Sequence, residues 1–185
     1  HGSVLGEEEI ALTKAELGWT AGPWEIPPEI YEAWNCSNSG GAAQGSWQAA
    51  MDAFAQADPS AAAELARRMK GELLDGWDTA IDAFAQQQQA NAVDLETRKS
   101  SQAAIGAIAE GLPELFGGSA DLTGSNNTRW SEARDDQYMS FGVREFGMTA
   151  ISNGIQLHGG YRPFTGTFLI FMEYARNAVR LAALM

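Results

Sequence analysis

Glu145 stands among glycines and bulky apolar residues in the stretch FGVREFGM, with Arg144 beside it. Burying a carboxylate without a partner costs several kcal/mol, so the setting leaves two readings. Glu145 is either a solvated acid at a helix start, loosely paired with Arg144, or a carboxyl held in a dry pocket. A helix start favours its ionised form, while Phe141, Val143, Phe146 and Met148 favour the neutral one by desolvation. A carboxyl in that second setting could share a proton with a nitrogen heterocycle.

Further along, Phe168, Phe171 and Tyr174 recur every three residues, which places their rings along one side of two helical turns. Such a stripe forms either core or a flat apolar slot for an aromatic ligand ring. The segment GGSADLTGSNNT combines three glycines with Ser119, Asp121, Thr123, Ser125 and Asn126. Its backbone N–H groups and hydroxyls could meet phosphate. It has neither the G-x-x-x-x-G-K-[ST] nor the G-x-G-x-x-G spacing, so by itself it is a weak signal. His158, in LHGG, reads as a helix-end residue that caps or is satisfied in the core, and nothing local makes His1 informative. NCS at 35–37 and NNT at 126–128 match the N-glycosylation pattern, which arises often by chance.

These residues need elements to hold them. The first half reads as helical and irregular. A short helix over GEEEIALTKAELGW ends near Gly18, and a second begins at Pro27–Pro28. The stretch Asn35–Gly45 reads as a polar loop. Alanine-rich helices follow over SWQAAMDAFAQA, SAAAELARRMKGELL and WDTAIDAFAQQQQ, with the QQQQ run at 86–89 a solvated face. From about residue 96 the pattern alternates. A helix with Ala104, Ile105 and Ile108 on one side precedes the strand PELF. A second strand, DQYMSFGV, leads into a helix over REFGMTAISNGIQLHGG, and a third strand or extended segment, YRPFTGTFL, leads into a helix over IFMEYARNAVRLAALM. Alternation of this kind indicates α/β architecture with a parallel sheet. Ligands in such sheets sit at the carboxyl ends of strands, which points to 117–126, 142–145 and 163–167 as site loops.

The chain has 185 residues, 12 basic and 24 acidic, for a net charge of −12. That balance argues against general nucleic-acid binding. Residues 1–95 carry a net of −11 and residues 96–185 a net of −1, so the second half is better placed to receive an anion. Cys36 is the only cysteine, which excludes an intrachain disulfide and a cysteine metal cluster. No apolar run is long enough to span a bilayer and no signal peptide is visible, so no membrane role is expected. A reducing, cytoplasmic compartment is the expected location, with a plastid as the alternative. The start without Met and the finish inside an apolar helical pattern suggest an internal piece of a longer protein.

Together these stretches resemble transketolase, a thiamine-diphosphate enzyme. The resemblance rests on HGSVLGEEEIALTKAELGW, RKSSQ, GGSADLTGSN, FGVREFGMTAISNGIQLHGG and PFTGTFLIFMEYARNAVRLAAL, in the family's order. It is most specific over 96–185 and loose over 36–95. It implies an α/β chain whose helical and irregular N-terminal part precedes a partial parallel-sheet pyrimidine-binding domain. Residues 1–70 would end the diphosphate-binding domain, 71–95 would be a linker, and 96–185 would form the first half of the pyrimidine-binding domain.

The resemblance also implies roles. Glu145 would donate a hydrogen bond to the pyrimidine nitrogen para to the exocyclic amine, favouring the imino tautomer whose lone pair deprotonates the thiazolium carbon. The cofactor would then carry a two-carbon fragment from a ketose phosphate to an aldose phosphate. Phe171 would stack on the pyrimidine, with Phe168 and Tyr174 completing the slot. Asp121 would meet the cofactor's central region, and Arg98 and Ser125 the sugar-phosphate tail. His1 would touch cofactor and substrate. Magnesium ligands are expected upstream, outside this chain, and the active site would lie between two subunits of a homodimer, so the fragment alone would be inactive. Dihydroxyacetone synthase shares the architecture and is a rival. Deoxyxylulose-phosphate synthase is another, but it carries AEQ around its glutamate, which VREFG does not match. A non-catalytic dimerisation or regulatory homologue is a rival of a different class. The joint presence of Glu145, Phe171, Arg98 and Ser125 argues against it.

Overall fold

The computed structural model describes residues 2–185 and divides into two compact units, 1–56 and 57–185. In the first, α1 (Glu7–Glu16) is followed by Gly18 at φ 63°, a left-handed position that glycine adopts without strain. Pro28 opens α2 (Pro28–Trp34), where a missing N–H costs nothing. Helix α3 (Ser37–Ala57) corrects the sequence reading, because the expected polar loop over 35–45 is mostly helix. Asn35 Oδ1 accepts from the Ser37 N–H at 3.0 Å, and Ala42, Ala43 and Gln44 are good helix formers. Continuity with the alanine-rich run to Ala57 offsets the glycines. No residue of α1, α2 or α3 is buried.

The second unit opens with α4 (Pro59–Lys70). Asp58 caps it by accepting from the Ala61 N–H at 2.9 Å, and Gly71 closes it at φ 71°. Helices α5 (Trp77–Ala90) and α6 (Thr97–Gly111) lead to strand β1 (Leu115–Ser119). A single turn, α7 (Thr123–Asn126), follows, then β2 (Tyr138–Ser140), α8 (Glu145–His158), β3 (Arg162–Gly166) and α9 (Met172–Leu184).

The three strands form one parallel sheet in the order β2-β1-β3, with Gly117 opposite both Tyr138 and Phe164. The α/β class read from the sequence is therefore correct, but two loop boundaries move. Strand β1 takes in Gly117 and Gly118, and β3 takes in Pro163 to Gly166, so the site loops begin later than expected. The glycines belong in the strand because a Cβ on Gly118 would collide with the Met139 backbone.

Leu112, Leu115 and Trp130 form the main core, packed by Trp77, Ile105, Ile108, Tyr138 and Phe164. Ala120, Phe141 and Met148 form a second cluster under the carboxyl ends of the strands. Helix α9 buries Ala175 and Ala178, and Asn153 of α8 donates to the Ala178 carbonyl at 2.9 Å. These contacts set where the first turn of α9 meets the first turn of α8.

Candidate functional site

Strand β2 delivers Phe141, whose N–H donates to the Ser119 carbonyl at 3.1 Å, and Gly142 turns the chain at φ 65°. Arg144 is exposed and its Nη1 donates to the Phe141 carbonyl at 3.0 Å. It is thus spent on the turn and does not pair with its neighbour. Glu145 follows as the first residue of α8 and is only 9% exposed. Its backbone carbonyl accepts from Thr149 Oγ1 at 3.0 Å. Among the described residues its carboxylate has no hydrogen-bond or ion-pair partner. The pairing with Arg144 expected of a solvated Glu145 is therefore absent from this arrangement.

The carboxylate lines a cleft of about 530 Å³ with Ala120, Asp121, Leu122, Val143, Phe171 and Tyr174. Phe171 is half-buried, and Tyr174 is 69% exposed at the rim. Asp121 follows β1 by two residues at φ 61°, a left-handed position that costs a non-glycine residue energy and aims the chain abruptly. A flat ring with an acceptor nitrogen fits these walls. Phe171 supplies an aromatic face, and Glu145 is a carboxyl that nothing among the described residues already engages.

The aromatic stripe divides. Phe168 stacks on Phe171 with centroids 6.1 Å apart and 20° between planes, and Phe171 meets Tyr174 at 6.2 Å and 34°. Phe171 and Tyr174 line the Glu145 cleft, while Phe168 lines a neighbouring cleft of about 530 Å³. Its walls include Arg98, Ser101, Ser125 and Thr167. Arg98 reaches across from α6, with Nη1 donating to the Ser125 carbonyl at 3.2 Å and Nη2 lying 3.7 Å from Glu96. The Lys99 ammonium hydrogen-bonds Glu96 at 2.9 Å and holds that carboxyl below its ordinary value. Roughly half of the Arg98 side chain remains open to solvent, available to an anion. His1 lies outside the described residues. His158 is exposed at the end of α8, with Nδ1 3.1 Å from the Gly159 carbonyl, and belongs to neither cleft.

The sequence reading missed a polar network beneath the Gly-Ser loop. Ser119 is fully buried, and its Oγ accepts from the Leu122 N–H at 3.1 Å and from Asn126 Nδ2 at 2.9 Å. Thr128 Oγ1 donates to Asn126 Oδ1 at 2.9 Å and lies 2.7 Å from the Tyr138 hydroxyl. That hydroxyl also lies 2.8 Å from Thr123 Oγ1. The only hint in the sequence was a run of small polar residues after a strand. Their partner, Tyr138, lies ten residues beyond Thr128 on another strand.

At the opposite end of β1, Glu114 is buried against α4. The Arg67 guanidinium meets it with two bonds, at 3.0 and 2.9 Å, and also meets Glu64 at 2.8 Å through Nε. Burial pushes the Glu114 carboxyl up most strongly, but the Arg67 hydrogen bond, a backbone hydrogen bond and the charges of Arg67 and Arg68 together hold it below its ordinary value. Hydrogen bonds from Arg67 and then Arg68 lower the Glu64 carboxyl to about 2. The same contacts raise Arg67 above its ordinary value. This cluster braces the back of the sheet and stands apart from both clefts.

No helix among the described residues is long and apolar enough to cross a membrane. Residues 93–185 match the family described as transketolase, pyrimidine binding domain, and residues 1–74 match transketolase, thiamine diphosphate binding domain. The whole chain aligns with transketolase 1 of Escherichia coli (strain K12) at 52% identity, spanning 29% of that protein. Against transketolase 2 of Xanthobacter flavus the identity is 48%, over 28% of that protein. Among solved structures, a Pichia stipitis transketolase in complex with sedoheptulose-7-phosphate superposes with a TM-score of 0.80 at 33% identity. The match covers 100% of this chain and 29% of that one. Transketolase from Leishmania mexicana gives 0.78 at 34% identity, over 97% of this chain and 27% of that one. The chain thus spans under a third of the length of these relatives, across parts of two cofactor-binding domains. With matches over both segments and nearly the full chain, it belongs to the transketolase family.

Proposed function

We propose that this chain supplies the pyrimidine side of a thiamine-diphosphate site within a longer transketolase. The longer protein would move a two-carbon ketol unit from a ketose phosphate to an aldose phosphate, as in the pentose phosphate pathway. Residues 1–70 then end the diphosphate-binding domain, 71–95 link, and 96–185 begin the pyrimidine-binding domain. The observation that carries the reading is Glu145, a buried carboxyl without a partner among the described residues, facing a cleft walled by Phe171.

Bound thiamine diphosphate supplies the electron sink that holds the transferred fragment. The chain's own residues do the rest. Glu145 donates a hydrogen bond from its carboxyl to a ring nitrogen of the pyrimidine. Phe171 fixes the plane of that ring, Tyr174 covers its edge, and Phe168 supports Phe171 from the neighbouring cleft. Asp121 stands at the mouth of the cleft, where the cofactor's central region would pass. Arg98 and Ser125 bind the sugar phosphate, the guanidinium offering a fork of donors. His1 would complete cofactor and substrate contacts. Magnesium ligands belong to the rest of the longer protein, and the diphosphate side of each site to the partner subunit of a homodimer. The compartment is the cytoplasm. The sugar phosphate bound to the Pichia stipitis relative supports the substrate class.

The test is Glu145→Ala in the full-length dimer. Ketol transfer should fall by about 10²–10⁴, with dimerisation intact by sedimentation. Unchanged transfer would exclude the role and favour a non-catalytic module.

A further inference from the structure

Ser125 sits in α7, a turn too short to hold its own shape, so its position depends on what anchors both ends. The anchors are side chains. Thr123 at the start meets the Tyr138 hydroxyl, and Asn126 at the end meets Ser119 and Thr128. Each hydroxyl has one proton to give. With the Asn126 amide nitrogen on Ser119 and its oxygen on Thr128, the Thr128 proton is committed to Asn126. Tyr138 must then donate to Thr128 and accept from Thr123. One phenol therefore closes a directional chain from the first residue of the turn to the last.

Two further contacts tie this chain to its surroundings. Gly166, the last residue of β3, packs so closely on the Thr128 methyl that a Cβ would collide with it. The Tyr138 ring itself is held without its hydroxyl, packed on the Leu112–Leu115–Trp130 core and lying under the Arg129 guanidinium at 5.4 Å. The hydroxyl can thus be removed while the ring stays in place.

We propose that Tyr138 is a positioning residue for sugar-phosphate binding, its hydroxyl clamping the turn that holds Ser125 beside Arg98. The inference rests on the assignment of Arg98 and Ser125 to the phosphate. Tyr138 touches no ligand. It acts through Thr123 and Thr128, whose spacing decides whether the Ser125 hydroxyl and the Arg98 guanidinium converge on one anion.

The test uses the full-length holoenzyme, titrated calorimetrically with ribose 5-phosphate and with ribose, alongside steady-state kinetics. Tyr138→Phe should weaken ribose 5-phosphate binding by about three- to tenfold, the loss expected for one or two hydrogen bonds. Ribose binding and kcat should be unchanged, with KM for the phosphorylated sugar rising in step. Thr128→Val, which keeps the shape and removes the hydroxyl, should reproduce the shift, and Thr128→Ser should not. If Arg98→Ala weakens only the phosphorylated sugar while Tyr138→Phe and Thr128→Val do nothing, the clamp is wrong and the phosphate assignment stands. If Arg98→Ala does not separate the two sugars, the phosphate assignment falls and takes the clamp with it. Equal weakening of both sugars by Tyr138→Phe would also overturn the proposal.

Discussion

Arg144 gives its guanidinium to the Phe141 carbonyl, 3.0 Å away, and so leaves the adjacent Glu145 carboxylate alone. Sequence neighbours of opposite charge are parted by the turn between β2 and α8. Arg144→Ala in the full-length protein should therefore cost about 1 kcal/mol of stability, one hydrogen bond. Activity should fall far less than in Glu145→Ala. Comparable losses in the two variants, measured by initial rates, would mean that the pair acts as a unit.

Phe171 offers a face whose value lies in its flatness. Phe171→Ala should weaken thiamine-diphosphate binding to the full-length protein by at least about three- to tenfold, the loss of one aromatic pair. Phe171→Tyr should bind nearly as the parent does. Quenching of intrinsic fluorescence on cofactor titration reports both.

Gly166 has no space for a side chain against the Thr128 methyl. Gly166→Ala should destabilise by about 1–3 kcal/mol, as overpacking does elsewhere. Urea denaturation of the full-length protein measures it, and Gly154→Ala, on an open face of α8, should lose nothing.

The Arg67–Glu114 pair is buried on the Glu114 side and bidentate. Removing Arg67 leaves the buried Glu114 with only the more distant Arg162, 3.7 Å away, so Arg67→Met should cost about 3 kcal/mol. Arg67→Met with Glu114→Leu should recover most of that. A double-mutant cycle in thermal melts tests the coupling.

Glu64 titrates in acid with a definite sign. Its carboxyl lies at about 2 in the folded chain against an ordinary 4.5. A depressed carboxyl contributes stability above the unfolded value and loses it as pH falls through the folded one. Glu114 shifts the same way. Stability should decline from about pH 4.5 towards pH 2. Glu64→Gln should flatten that decline in pH-dependent melts, and an unchanged slope would assign the acid sensitivity elsewhere.

Much of this molecule was legible from local pattern. Gly18 and Pro28 marked helix ends because left-handed turns and first-turn prolines are decided within a few residues, whereas the helix expected over SAAAELARRMKGELL stops early, at Gly71. The alternation of strands and helices after residue 96 implied a parallel sheet for the same local reason. The expected loop at Asn35–Gly45 is mostly helix: serine and glycine weigh locally against it, whereas the Asn35 side chain that accepts from the Ser37 N–H and the alanine-rich run to Ala57 weigh for it. Gly117 and Gly118 looked like loop residues, and only the neighbouring strands' backbones show why the sheet needs them.

The amino-acid order by itself determined the chemistry on offer: one carboxyl in apolar company, a stripe of rings, and an arginine near a Gly-Ser loop. Tertiary structure decided which of these meet. It put Phe171 with Glu145 and Phe168 with Arg98, although the two phenylalanines lie three residues apart. It also joined Ser119, Asn126 and Thr128 to Tyr138. The reason is geometric. Residue spacing sets the face of an element on which a side chain emerges, but the groups facing it come from strands and helices distant in sequence.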